Sequence, residues 1–174
     1  MPLLTDYGSY ADAQRYCSKE RLWDLFDGER AHLNIAHECL GRHPRDRVAV
    51  RIAMATGGSE SFTFGELSDW SGRYANYLRA QGIAPGDRVA LMVEPSLPFY
   101  AALYGAMKAG CVAVPLFTLF GPDGLRLRLG DCQPKLLLLA PEKAELAVDA
   151  GCAVAIADSD FMAMLENQEA AFEM

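Results

Sequence analysis

The stretch Lys135-Leu-Leu-Leu-Leu-Ala140 constrains the fold more than any other part of this chain. It is too short for a helix of ordinary length, and an unbroken apolar run between turn residues fits a strand covered on both faces. Similar runs precede and follow it, at Arg88-Val-Ala-Leu-Met-Val93, Cys111-Val-Ala-Val-Pro115 and Ala153 to Ala157. Helical patterns separate them. Ser96 can cap a helix from Pro98 to Ala109, Gly121-Pro122-Asp123 opens another through Leu129, a weaker one precedes Ala153, and an acidic helix begins at Asp158. Strands alternating with helices pair in parallel, so the expected class is α/β, a doubly wound, mostly parallel sheet with flanking helices.

Upstream the pattern changes. Residues 1–32 read as a helical lead, with Tyr16, Trp23 and Phe26 at helical spacing between Tyr10 and Phe26 and a stop at Asp27-Gly28. Residues 33–174 read as the body. Its first helix, Leu33 to Arg42, sets Ile35, Ala36, Cys39 and Leu40 on one face and ends before Pro44. Arg47 to Ala53 alternates as a strand; Thr56-Gly57-Gly58-Ser59 supplies a turn, and Ser61 to Phe64 returns as the partner of a β-hairpin. Thr63-Phe-Gly-Glu66 is a capping box for a helix to Ala80 with Leu67, Trp70, Tyr74, Tyr77 and Leu78 on its apolar stripe. The strand–helix rhythm is still running at Met174, so the expectation is an incomplete, N-terminal part of a larger domain.

Composition narrows the function classes. Of 174 residues, 16 are Lys or Arg and 23 are Asp or Glu, a net charge of −7, with no basic stripe interleaved with aromatics; nucleic acid is not the expected partner. No window reaches the roughly 18 uninterrupted apolar residues of a membrane span. Five cysteines, without a C-x-x-C pair, suit a reducing compartment, and a cytoplasmic protein is expected.

Candidate chemistry is sparse. His32, His37, Cys39 and His43 lie close in sequence, yet only Cys39 and His43 have the spacing to share a helix face, and no second cluster completes four ligands; no metal site is expected. Neither G-x-G-x-x-G nor G-x-x-x-x-G-K-[ST] occurs, so the chain has no phosphate cradle of its own, and no nucleophile sits in a G-x-S-x-G turn. One loop stands apart. Val114 to Asp123 leaves the carboxyl end of a strand and enters a helix, where doubly wound sheets bind ligands. Its Phe117, Leu119 and Phe120 either plug the core or form an exposed surface suited to an adenine ring or an acyl group.

A set of segments from Leu33 to Ala140 then gains meaning by its order and spacing. They are Asn34-Ile-Ala-His-Glu-Cys-Leu-Gly-Arg-His43, Phe62-Thr-Phe-Gly-Glu-Leu67 with Asn76-Tyr-Leu78, and Gly86-Asp-Arg-Val-Ala90. After these come Ala101-Ala-Leu-Tyr-Gly-Ala-Met-Lys-Ala-Gly-Cys-Val-Ala-Val-Pro115, Phe120-Gly-Pro, and Arg126-Leu-Arg-Leu with Asp131. Together they resemble the AMP-forming acyl-CoA synthetases of the adenylate-forming superfamily. The opening Trp23 to Gly28 and the Leu116-to-Pro122 loop look most like the acetyl and medium-chain or aryl acyl-CoA branch.

The resemblance implies a carboxylic acid–CoA ligase that uses ATP, CoA and Mg²⁺ in its full-length form, with a small carboxylic acid as substrate. It also implies that residues 33–174 are part of the adenylate-forming domain and that the phosphate loop, the adenine motif and the catalytic lysine lie beyond them. No catalytic residue is therefore expected here, and no cofactor should bind this chain tightly. Phe117, Thr118 and Leu119 match positions that line the CoA channel. The family can place glycines after the Phe and arginines about 25 residues on, where this chain has Thr118, Leu119, Glu145 and Val148, which cannot pair with phosphates. Two other readings stay open: a non-enzymatic interaction module with Trp70, Tyr74 and Tyr77 facing a partner, and an enzyme adenylating an acid for a carrier protein. An apolar face left exposed would favour self-association.

Overall fold

The chain divides into two compact units, Met1–Asn34 and Ile35–Met174. The structure, a computed structural model, describes residues 1–55 and 57–173, and Asp149 without its side chain. Of the expected turn, Thr56 lies outside the described residues, as does Met174.

In the first unit the single helix expected from Tyr10 to Phe26 is two short ones, α1 (Tyr10–Arg15) and α2 (Lys19–Trp23). Ser18 causes the break. Its hydroxyl accepts the Arg21 N–H at 3.3 Å, as Ser9 accepts that of Asp12 at 3.1 Å, so a local side-chain bond replaces a turn of helix. No residue of either helix is buried. Aromatic and guanidinium contacts hold this unit together: Tyr7 stacks on Tyr16 at 5.3 Å, and Arg21 lies 5.6 Å over the Tyr7 ring while bonding the Tyr16 carbonyl.

The second unit opens on a π-helical turn (His37–Gly41). Ala36 and Leu40 are buried as expected, but Ile35 is exposed and Glu38 is buried in its place, its carboxylate 2.6 Å from the Arg42 guanidinium. The hairpin follows. β1 (Val48–Ala53) pairs antiparallel with β2 (Ser59–Thr63), Val50 opposite Phe62 and Ala53 opposite Ser59. Gly57 and Gly58, at φ +92° and +90°, make the reversal that residues with side chains resist. The capping box is present: Glu66 N–H donates to the Thr63 hydroxyl at 3.1 Å and Thr63 N–H to the Glu66 carboxylate at 2.7 Å, starting α3 (Phe64–Ala80).

The remaining elements alternate: β3 (Arg88–Met92), α4 (Leu97–Lys108), β4 (Val112–Pro115), α5 (Pro122–Cys132), β5 (Leu136–Leu139), a 3₁₀ segment (Pro141–Asp149), β6 (Ala153–Ile156) and α6 (Ser159–Glu166). The four strands form one parallel sheet in the order β4-β3-β5-β6. Alternate residues face opposite ways. Val89, Leu91, Leu136 and Leu138 pack with Tyr74, Leu78, Ala102, Ala106, Phe161 and Leu165 from α3, α4 and α6. Ala90, Met92, Leu137 and Leu139 pack with Leu125 and Leu129 of α5 and with Ala150. This is the doubly wound α/β arrangement, and all four residues of β5 are buried because both faces are covered.

One expectation about the sheet changes, and the α3 stripe stands as its spacing predicts. The 111–115 run is not a buried strand but the edge of the sheet, with Val112 about half exposed and Pro115, which donates no ladder bond, at its end. Tyr74 and Tyr77 are buried in the α3/α4/α6 core and Trp70 packs against it, so the α3 stripe faces inward, not toward a partner. Among the described residues no helix is long and apolar enough to cross a membrane.

Candidate functional site

Strand order locates the site. From β3 the chain moves outward to β4, whereas from β5 it moves the other way to β6, so the sheet switches direction between β3 and β5. Loops leaving the carboxyl ends of such strands diverge and open a crevice. Val93-Glu94-Pro95, the 116–121 loop and Ala140 supply this edge. The sheet anchors it: Leu116 N–H donates to the Leu91 carbonyl at 2.8 Å and Ala140 N–H to that of Met92 at 3.0 Å.

Within the 116–121 loop the three apolar side chains part company. Phe120 turns inward against the α5 core, its ring under the Arg128 guanidinium at 4.1 Å. Phe117 is 74% and Leu119 89% exposed. Phe117 still meets Phe120 edge to face at 5.9 Å, and Phe120 N–H bonds the Phe117 carbonyl at 3.2 Å, which holds the turn. The core-plug alternative therefore describes Phe120, and the exposed-surface alternative describes Phe117 and Leu119. Thr118 points to the β3 loop, where its hydroxyl donates to the Glu94 carboxylate. Sequence reading did not single out Glu94. The available signal was its place just past the end of β3, at a ligand-facing edge.

Two of the candidate histidines have local neighbours. His43 stacks on Phe64 at 4.5 Å and sits 3.1 Å from the Glu38 carbonyl, and His32 lies in the first unit beside Glu29. Among the described residues no group of three or more His, Cys, Asp or Glu comes together as a metal site. All five cysteines are free, and burial pushes the thiols of Cys111, Cys132 and Cys152 up, away from the reactive thiolate.

A cavity of about 640 Å³ lies at the opposite, amino edge, lined by Arg88, Arg126 and Lys135 among others. Two of these three cations already have partners. Arg88 donates to the carbonyls of Cys132 and Gln133, both at 2.8 Å, and so caps the C-terminal end of α5, while Arg126 pairs with Asp123 at 2.9 Å. A helix C-terminus repels anions, so the carboxyl edge is the better candidate.

Comparison with known proteins supplies the family and the fold. The family model described as AMP-binding enzyme matches residues 37–173. Acetyl-coenzyme A synthetase of Bradyrhizobium diazoefficiens is 34% identical over 137 residues, covering 72% of this chain and 21% of that protein. The 3-hydroxybenzoate–CoA ligase of an Aromatoleum species is 33% identical over 114 residues, 66% of this chain and 22% of that protein. Among solved structures, the acyl-CoA synthetase of Brucella canis superposes with a TM-score of 0.85 at 27% identity, over 96% of this chain and 33% of that one. The chain thus spans about a fifth of the length of these curated relatives.

Proposed function

The chain belongs to the AMP-binding enzyme family, and on that premise we propose that it forms the N-terminal scaffold of an ATP-dependent carboxylic acid–CoA ligase. The complete enzyme would join a carboxylate to the α-phosphate of ATP, releasing pyrophosphate, and then pass the acyl group to the CoA thiol, releasing AMP. A small carboxylic acid is the substrate class, since the relatives' names carry acetyl and 3-hydroxybenzoate groups.

Position carries the reading: Phe117 and Leu119 are exposed on an anchored loop at the carboxyl edge, beside the switch between β3 and β5. Phe117, Thr118 and Leu119 would offer an apolar and aromatic wall to the nucleotide end of CoA. Glu94 and Glu145 would repel its phosphates, which must then be held by residues elsewhere in the full enzyme. The residues described here do not fit Mg²⁺ or a nucleoside triphosphate, for want of converging carboxylates and of a glycine-rich loop. No bond-making step is assigned to this chain.

The five free cysteines favour the cytoplasm, and the exposed Phe117, Leu119, Leu127 and Val148 favour self-association at high concentration. A backbone amide NMR titration with CoA tests the site. Shifts centred on Phe117, Thr118 and Leu119 at about millimolar CoA are expected. An unmoved loop at that concentration, or shifts centred on the amino-edge cavity, would overturn it.

A further inference from the structure

After α6 the chain does not return to the sheet but crosses the outside of α3. Arg73 donates to the carbonyls of Glu166 and Gln168, the latter at 2.7 Å. Asn76, itself only 8% exposed, donates to the carbonyls of Glu169 at 2.7 Å and Ala171 at 2.8 Å. Arg79 bonds the Asn76 amide oxygen and lies 4.6 Å over the Phe172 ring. Residues 73, 76 and 79 are three apart and share one helix face. Gly72 completes the strip: a methyl group there would overlap the Ala170 carbonyl oxygen.

Two features separate this contact from ordinary core packing. The four acceptors are all main-chain carbonyls, from the last residue of α6 through the turn that follows it, so the strip reads backbone and not a particular sequence. None of residues 166–172 is buried, and Phe172 alone among them is partly packed on the core.

We infer that Gly72, Arg73, Asn76 and Arg79 form a docking strip for a peptide backbone, and that its occupant is this chain's own 166–172 segment, held as a strap that lifts off while the sheet stays folded. The strip fixes the path of the strap across α3 through polar clamps and one aromatic anchor, with local opening as its mode of release. This inference stands apart from the reaction proposed above.

A glutamate-specific protease tests it. Cleavage after Glu169 requires the strap to lift from Asn76, and Glu145, exposed on the 141–149 segment, is the internal control. Gly72→Ala should raise the Glu169 rate by about tenfold or more, because proteolysis follows the open population and the clamp bonds are lost together. The Glu145 rate should not change, and the thermal midpoint should fall by little, since alanine is the better helix former and offsets most of the lost clamp. Asn76→Ala should raise the Glu169 rate severalfold and decides the matter if Gly72→Ala does not fold. Unchanged Glu169 cleavage, or faster cleavage at Glu169 and Glu145 together with a lower midpoint, would overturn the inference.

Discussion

The parallel sheet and the first strand of the hairpin share Val, Ala and Ile, but they differ in what covers them. Every residue of β5 is buried, because α3, α4 and α6 close one face of the sheet and α5 the other. In the hairpin no residue of either strand is fully buried, and Val48 is about half exposed. Strand propensity chooses the backbone shape in both; burial comes from the covering layers. The candidate site hangs from the better-covered sheet, which explains how exposed aromatics can be held in a fixed place.

Paired truncations give the largest expected contrast. Leu138→Ala removes a side chain with no exposure and should cost about 2–5 kcal/mol. Val48→Ala on the hairpin should stay within about 1 kcal/mol. Denaturant midpoints measure both, and equal losses would break the comparison. A smaller effect lies at the hairpin–α3 junction. Thr63→Ala removes the cap and should cost about 1 kcal/mol.

The same junction carries a pH dependence. The Thr63 backbone N–H, and then its hydroxyl, hold the Glu66 carboxyl below its ordinary value of 4.5. The ionised form is thus favoured in the folded state. Its contribution is present above the ordinary carboxylate range and is lost as pH falls through the lowered value. The penalty of Thr63→Ala should shrink in acid, and a penalty that stays constant through that range would contradict the assigned cause.

Local signals made much of this legible in advance. The capping box at Thr63, the α3 stripe and the strand at Leu136 each depend on neighbours within a few residues, and each stands where the sequence puts it. What failed depended on longer reach or on competing local bonds. Helical spacing from Tyr10 to Phe26 could not reveal that Ser18 would take a backbone N–H and start again. The 111–115 run looked buried because composition does not say which strand lies at an edge. Phe117 and Phe120 are identical in type and three apart, and only the path of the loop sends one to solvent and one to the core. Glu94 and Thr118 are 24 residues apart, and their contact exists only once β3 and β4 are adjacent.

Pyrophosphate release by the purified 174-residue chain, supplied with ATP, Mg²⁺ and acetate or 3-hydroxybenzoate, addresses the scaffold assignment most directly. Release no faster than in a protein-free control is the expected result. Sustained turnover, proportional to protein concentration and surviving repurification, would mean that reactive groups reside within these residues after all.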